Sequence, residues 1–444
     1  VSAPFEDLEA DWLSVEAALG RVLAEASPLA AVRLAPSRAH GLILASDVEA
    51  RATLPAHDNS AMDGYAVRSV DVRGASPDEP VRLEVVGHAV PGPPIDVAVG
   101  PGQAVRITTG GPVPAGSDSV VRVEHTDRES SPGVVEVRDD ADAGRNVRPA
   151  GRDLRRGDVV ALQGERLGPG RLGIVISAGA ATVAVHPPPR VAVVATGDEL
   201  AGPDELERVL AGNAVPDVNG PMISAAVQAA GGVARSGAAA PDDLEALVAR
   251  LEQELDADLL VTIGGASMGT GDLVKRALDR LGFHLDFWRV TMRPGSPFGF
   301  GRIPREGAPP LPVCSLPGNP SSAFVTFELF VRPLIRRLAG HTRIHRPSVD
   351  AVAGEAFGAH PRNTMFPRVT LDRDAGEAFH ARSAGDQTSG LVHTLARAHG
   401  LAVVRPSDRP IARGEPLRVL MLDDEFGAAE DAAWLRPLDG GSGG

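Results

Sequence analysis

The 444-residue chain has one cysteine, Cys314. A lone cysteine excludes an intramolecular disulfide and a multi-cysteine zinc site within the chain, and suits a reducing cytoplasm. Lysine is equally scarce. Lys275 is the only one, so arginine carries nearly all of the positive charge. Aromatic residues make up 4%, with a single tyrosine, too few for the stacking platforms that hold single-stranded nucleic acid. The 44 basic residues are outnumbered by 58 acidic ones, giving a net charge of −14 and a pI near 5.4. That balance argues against a protein that coats nucleic acid or an anionic membrane, and leaves room for a local basic pocket. No stretch approaches the ~18 uninterrupted apolar residues of a membrane span. Residues 1–9 lack the basic-then-apolar pattern of a signal peptide.

What is present is globular in composition: 43% hydrophobic and 23% charged, in a chain long enough for roughly three domains. Fifty glycines and 38 prolines imply many turns. Val15, Ala18, Leu19 and Val22 recur at helical spacing behind Ser14, a candidate N-cap. From 54 to 150 the texture changes to short strands (82–86, 104–108, 119–123, 134–137) broken by Gly and Pro, a β-rich domain. Short strands and turns are expected to continue over 158–185. From 190 the apolar runs 191–195, 259–263 and 312–316 alternate with helical patterns around 222–227, 242–255, 273–281 and 321–338. This is the grammar of a doubly wound parallel α/β sheet, whose ligands lie at the carboxyl ends of its strands. After 347 the strands 368–371, 401–404 and 417–422 predict a C-terminal β domain, and the acidic, Gly-rich stretch 424–444 reads as a flexible tail.

Each strand end in the α/β region is followed by a Gly-rich or polar turn: 196–199, 264–269 and 316–322. Glycine lets backbone N–H groups approach an anion, so three such turns at one sheet edge point to a phosphate or oxyanion site. Taken singly, each turn also reads as a plain connection. Asp198, Glu199, Asp217, Asp242 and Asp272 cluster along the same edge, as carboxylates for Mg²⁺ shared with phosphate would; Asp242 and Asp272 also read as helix N-caps. Arg289 and Arg293 flank a Pro-Gly-Ser-Pro turn and could grip an oxyanion bidentately, or could be surface charge beside a strand. Two loops, 57–66 and 108–114, concentrate polar side chains and are also explicable as Asx-type turns. Residues 265–269 match the Gly-x-Ser-x-Gly elbow of hydrolases, but neither His284 nor His341 lies in a setting that would complete a triad. There is no Walker A or His-Glu-x-x-His string.

Together these segments resemble the molybdopterin molybdenumtransferase family, the enzymes related to the gephyrin E domain. The carrying strings run in the family's order: Asp-Asn-Ser-Ala-Met-Asp-Gly-Tyr-Ala at 58–66, Ile-Thr-Thr-Gly-Gly-Pro-Val-Pro at 107–114 with Asp118 and Glu124, Thr-Gly-Asp-Glu-Leu at 196–200, and Asp217-Val-Asn219. They continue with Gly-Gly-Ala-Ser-Met-Gly at 264–269 with Asp272, Arg-Pro-Gly-Ser-Pro at 293–297 and Leu-Pro-Gly-Asn-Pro at 316–320.

The resemblance implies an elongated multidomain chain of α/β plus β class. Its parts would be a hinge and dimerisation domain (1–53 and 146–185), an inserted β-rich domain (54–145), an α/β molybdopterin-binding domain (186–340), a C-terminal β domain (346–423) and the tail (424–444). It implies a cytoplasmic homodimer with a composite site, in which Asp58 and Thr109 of one subunit face the α/β domain of the other. The implied reaction is insertion of molybdate into adenylylated molybdopterin with release of AMP, assisted by Mg²⁺ and supplied by an adenylyltransferase. Glu199, Asp242 and Asp272 match family acids important for activity and are the candidate metal ligands. Gly264, Gly265 and Ser267 form the glycine turn. Arg289, Arg293 and Ser296, with Pro297, fall where the family has molybdate-binding basic residues. Pro317 and Asn319 belong to the next turn. Ser322, Arg362 and Ser389 match further oxyanion contacts, with a one-residue length change beside Arg362.

One departure matters. The family's turn is usually Lys-Pro-Gly-Lys-Pro; Arg293 keeps the first charge and Ser296 loses the second. An unreplaced charged hydrogen bond is worth ~1–3 kcal/mol. Two alternatives to the enzyme reading follow: a divergent paralogue that binds pterin or oxyanion without turnover, and a scaffold like the gephyrin E domain in receptor clustering.

Overall fold

The computed structural model describes residues 12–24, 26–130, 132–264, 273–373 and 378–422; the expected tail at 424–444 lies outside them. The chain divides into two compact units. One combines the chain up to Ala30 with the chain from His186 onward; the other is Ala31–Val185.

The first unit is built on a six-stranded sheet. Its strands are β1 (Arg190–Ala195), β2 (Val233–Ser236), β3 (Leu259–Ile263), β4 (His284–Phe287), β5 (Gly299–Arg305) and β6 (Ala308–Leu316), in the spatial order β2-β1-β3-β6-β5-β4. The first four in that order are parallel, as expected. β5 runs against both of its neighbours, because only a tight turn separates it from β6 and a short connection cannot return a parallel strand.

Both sheet faces are covered, which is why β1 from Val191 onward and all of β3 are buried, and apolar save for Thr262. Val191, Val193 and Ala195 point to one core, with Ile223 and Val227 of helix α2 (Asn219–Ala229). Ala192 and Val194 point to the other, with Leu247 and Leu251 of α3 (Leu244–Glu252) and Val274, Ala277 and Leu278 of α4 (Leu273–Arg280). This period-two division is the signature of a buried sheet.

The helix expected over 321–338 is three pieces: Pro320–Thr326, a π-helical turn Phe327–Val331, and Arg332–Leu338. Pro333 has no N–H to return to the preceding turn, and the wider turn just before it accommodates that loss. Within the π turn, buried Glu328 accepts from Arg346 at 2.9 and 3.2 Å, with Arg332 at 3.7 Å. This fastens the helix to the segment that leads into the C-terminal domain.

That domain is a closed five-stranded barrel of Ser348–Ala353, Phe379–Ser383, Arg368–Arg373, Gly400–Val403 and Pro416–Met421. Closure leaves no open sheet edge. A short parallel pairing of Met292–Arg293 with Thr364–Met365 joins it to the α/β domain.

The segment Val15–Ala24, helix α1, is helical as its period predicts, with Ser14 Oγ accepting from the Ala17 N–H at 3.1 Å. Residues 1–53 were expected to belong to the hinge. Ala18 and Val22 of this helix are instead buried in the α/β core, because its apolar stripe fits the Arg332–Leu338 helix.

The second unit holds a five-stranded sheet in the order Ser119–Arg122, Gly64–Val67, Gln103–Ile107, Val81–Ala89, Val134–Val137. Tyr65 and Val67 face one small core and Ala66 the other. The rest of the unit includes a three-stranded sheet and a helix at Pro169–Ser177, where only strands and turns were expected. Gly170 and Gly173 lower its helix propensity, while Pro169 in the first turn and buried Val175 set it. Among the described residues no helix is long and apolar enough to cross a membrane.

Candidate functional site

Of the turns singled out from sequence, those at 196–199 and 316–322 meet at the carboxyl edge of the sheet with Gly264, the described residue of the third. The Thr196 N–H donates to the Ile263 carbonyl and the Gly264 N–H to that of Leu316, both at 3.2 Å. Gly264 has φ +94°, and a Cβ there would stand 3.1 Å from Thr196 Oγ1, so both backbone conformation and space select glycine. Asn219, at the start of α2, donates from Nδ2 to the Gly318 carbonyl at 2.6 Å. Its Oδ1 is buried and unpaired. Gly265, Ser267 and Asp272 lie outside the described residues.

The acids along this edge have separate tasks. Asp243, not Asp242, caps α3, accepting from the Ala246 N–H at 2.9 Å. Asp242 turns the other way: its N–H donates to Asp198 Oδ1 at 3.1 Å, and its own Oδ2 accepts from the Asp198 N–H at 3.4 Å. The exchange ties the loop after β1 to the loop before α3. Asp217 Oδ1 accepts from the Gly220 N–H at 3.0 Å in the first turn of α2. Glu199 folds its carboxylate over Gly197. Arg208 Nη2 donates to the Asp198 backbone carbonyl at 3.0 Å, and among the described residues no arginine pairs with the side-chain carboxylates of Asp198, Glu199 or Asp242. Nor, among those residues, are three or more His, Cys, Asp or Glu side chains gathered as a complete metal site.

Beside this edge, between the α/β domain and the barrel, lies a cavity of about 600 Å³. Arg293, Ser296, Pro297, Pro317, Asn319, Ser322 and Ser389 all line it, together with Phe357, Phe366 and Arg368. Two hydrogen bonds hold its far wall to its near wall: Asn319 Nδ2 donates to Ser389 Oγ at 3.1 Å, and the Ser321 N–H donates to the Ser389 carbonyl at 3.0 Å. Ser296 Oγ is already engaged, donating to the Val290 carbonyl at 2.9 Å. The cavity combines apolar walls with a few convergent polar groups and cations, the usual composition of a small-molecule site.

Comparison with known proteins gives the same architecture. Residues 13–179 match the MoeA N-terminal region (domain I and II), 192–337 the "Probable molybdopterin binding domain", and 350–422 the MoeA C-terminal region (domain IV). Molybdopterin molybdenumtransferase 2 of Mycobacterium tuberculosis is 38% identical over 86% of this chain and 93% of its own length. Molybdopterin molybdenumtransferase of Bacillus subtilis is 31% identical over 95% of this chain and 91% of its own. The crystal structure of a molybdopterin biosynthesis moeA protein from Pyrococcus horikoshii aligns over 93% of this chain and 99% of that one, with TM-score 0.75 and 28% identity. The chain belongs to the molybdopterin molybdenumtransferase (MoeA) family.

In this MoeA-family chain, two of the expected oxyanion contacts stand apart from the cavity wall. Arg289 lies over the Trp12 ring, 4.9 Å from its centroid. Arg362 is exposed, its backbone N–H donating to His360 Nδ1 at 3.1 Å. Conversely, sequence reasoning passed over Arg368, which has no exposed surface and borders the cavity. In the second unit, the 57–66 and 108–114 loops are zipped together. The Ser60 N–H donates to the Gly111 carbonyl and the Gly110 N–H to that of Ser60, both at 2.9 Å. Asp58 Oδ1 accepts from the Ala150 N–H at 2.8 Å, and Thr109 donates its N–H to Asp63 Oδ1 at 2.6 Å. The hydrogen bonds from Thr109 hold the Asp63 carboxyl below the usual aspartate range. Asp63 is therefore the acid that shapes the Thr109 turn, a role the sequence reading did not single out.

Proposed function

We propose that this chain is a molybdopterin molybdenumtransferase that inserts molybdate into the dithiolene of adenylylated molybdopterin, with hydrolysis of the adenylyl bond and release of AMP. The observation that carries this reading is the cavity itself: two family turns and Ser389 of the barrel line one space of about 600 Å³. Molybdate is a dianion, and arginine, hydroxyl and amide donors suit its oxygens. Arg293, Asn319, Ser322 and Ser389 bind and orient it, while Phe357 and Phe366 limit water on the apolar side. The glycine turns at Thr196, Gly264 and Gly318 suit the phosphates of the pterin substrate.

Oxygen donors free of arginine partners suit a hard cation. Glu199 and Asp242, with Asp272, would hold magnesium, which when bound offsets charge on the phosphates and the leaving AMP. We further propose a cytoplasmic homodimer whose site is completed by Asp58 and Thr109 of the other subunit, with an adenylyltransferase supplying the substrate. Purified chain incubated with adenylylated molybdopterin, molybdate and Mg²⁺ should release AMP and yield active cofactor. A folded sample that does neither overturns the assignment.

The engaged Ser296 hydroxyl favours a second reading, a binding paralogue without turnover. Ser296→Lys decides between them. An added ammonium at a dianion site is worth roughly 1.5 kcal/mol or more, about tenfold in molybdate affinity. If the wild type is inactive and Ser296→Lys turns over, the paralogue reading holds. If the wild type already turns over and the variant only tightens molybdate binding in calorimetry, the enzyme reading holds.

A further inference from the structure

We propose that the acidic segment 423–431 of this chain docks on the arginine-rich corner where the α/β domain passes into the barrel. From Arg332 to Arg346 the sequence holds five arginines and two histidines and no carboxylate, in a chain whose net charge is −14. The fold keeps these cations together. Arg332 Nη1 donates to the Ile344 carbonyl at 3.3 Å. Arg336 donates from Nε and Nη2 to the Arg343 carbonyl at 3.1 and 3.0 Å, with His341 Nδ1 3.0 Å from Nη2. Glu328 accepts from Arg346 and lies 3.7 Å from Arg332. Arg337 and Arg343 have no ion-pair partner among the described residues; Arg343 is exposed, and Arg337 Nε is buried without a hydrogen bond. Partial burial, with Arg332 and Arg337 beside it, holds the His345 imidazole below its usual pKa, the direction that crowding by like charge produces.

The complementary charge follows Leu422. Asp423, Asp424, Glu425, Glu430 and Asp431 put five carboxylates into nine residues without a cation, and blocks of one sign often serve as interaction segments. The barrel aims them at the corner. Pro416–Met421 pairs antiparallel with Ser348–Ala353, Leu420 opposite Ser348, and the Met421 N–H donates to the Pro347 carbonyl at 2.9 Å. Antiparallel partners run in opposite directions, so the chain leaves Leu422 heading back along what precedes Ser348, which is Arg346, His345 and Arg343. Nine extended residues reach about 30 Å, while the helix Arg332–Leu338 is only about 10 Å long, so length does not limit the match. A single exposed ion pair contributes little. A tethered segment, however, meets its surface at an effective concentration on the order of millimolar, which lets several weak pairs act together.

The test places a nitroxide on Ala428→Cys in the full chain. Cys314, the one native cysteine, has no exposed surface, so the label goes to position 428. At low salt the label is expected to tumble severalfold more slowly than in ~1 M NaCl, where the Debye length falls to about 3 Å. Arg343→Glu is expected to release it at low salt with Tm unchanged, and Arg337→Glu combined with Arg343→Glu to release it further. Should the double variant fail to fold, the exposed Arg343→Glu alone decides. A label as mobile at low salt as at high salt overturns the inference. So does a slowed label that Arg343→Glu leaves slowed, because the segment then docks elsewhere. Slowing that disappears on dilution puts the segment on a second copy of the chain and overturns the inference as well.

Discussion

Asn319→Asp should raise the KM for molybdate by roughly two orders of magnitude and leave the protein as stable as before. The two side chains are isosteric, and at a helix N-cap they are equally favourable. Asn319 occupies that position before Pro320–Thr326 and makes no capping bond with its side chain. The contact with Ser389 at 3.1 Å also survives, because a serine hydroxyl donates to a carboxylate as readily as it accepts from an amide. What changes is a full negative charge in a cavity argued to hold a dianion. Two unit charges ~4 Å apart at a surface-like effective dielectric of ~20 interact by about 4 kcal/mol. Solvent and salt around an exposed side chain reduce that figure, and the ~2.7 kcal/mol that corresponds to a hundredfold change is well within reach. Tm reports on the fold and KM on the ligand, so the two can be separated. If KM moves by less than about twofold while Tm holds, no oxyanion binds beside Asn319, and the cavity has another occupant.

The parts of this molecule that could be read in advance are those whose determinants are local. β1, β3 and β6 announce themselves as apolar runs because both faces are covered, and the turns after them as Gly, Pro and Asn strings. β5 escapes notice because Gly299, Gly301 and Pro304 interrupt it; its glycines are there for room, Gly299 against the Trp288 ring and Gly301 against the His284 carbonyl. The Asp142 carboxylate, held by Arg122 and His125, likewise depends on partners that no local pattern reveals. Arg368 is the instructive case within the site. It alternates with Val369 and Leu371, which face the barrel core, so a period-two reading turns it toward solvent. It is fully buried because the 386–394 segment returns over it, and that return is a tertiary fact. Arg289 errs in the opposite direction: beside a Pro-Gly turn it reads as a ligand, and Trp12 takes it out of the cavity from the far end of the chain.

Gly64→Ala should destabilise the second unit on the order of 3 kcal/mol, the upper part of the usual range for overpacking. Gly64 opens the interior strand Gly64–Val67, paired on one side with Arg122 and on the other with Ile107. Its backbone is not in the left-handed region, so the requirement is space alone. A Cβ there would fall on the Val121 carbonyl oxygen, with Arg122 Cα at 3.0 Å. The obstacle is backbone held in a ladder, with no flexible side-chain end to move aside. The Gly64 carbonyl is further fixed by Arg106 Nη1 at 3.0 Å. For a unit of this size such a loss lowers Tm by roughly 6–12 °C, readable as a shift in its calorimetric transition. Gly173→Ala supplies the control within the same unit. Gly173 lies in the Pro169–Ser177 helix with nothing within 4 Å of its would-be Cβ, so alanine there should stabilise by about 0.5–1 kcal/mol. Two identical chemical changes should therefore move Tm in opposite directions. A Gly64→Ala protein that melts with the wild type would mean that the strand Gly64–Val67 is not paired in this register. The zipped loops beside it, with Asp58 and Thr109, would then lose their fixed geometry.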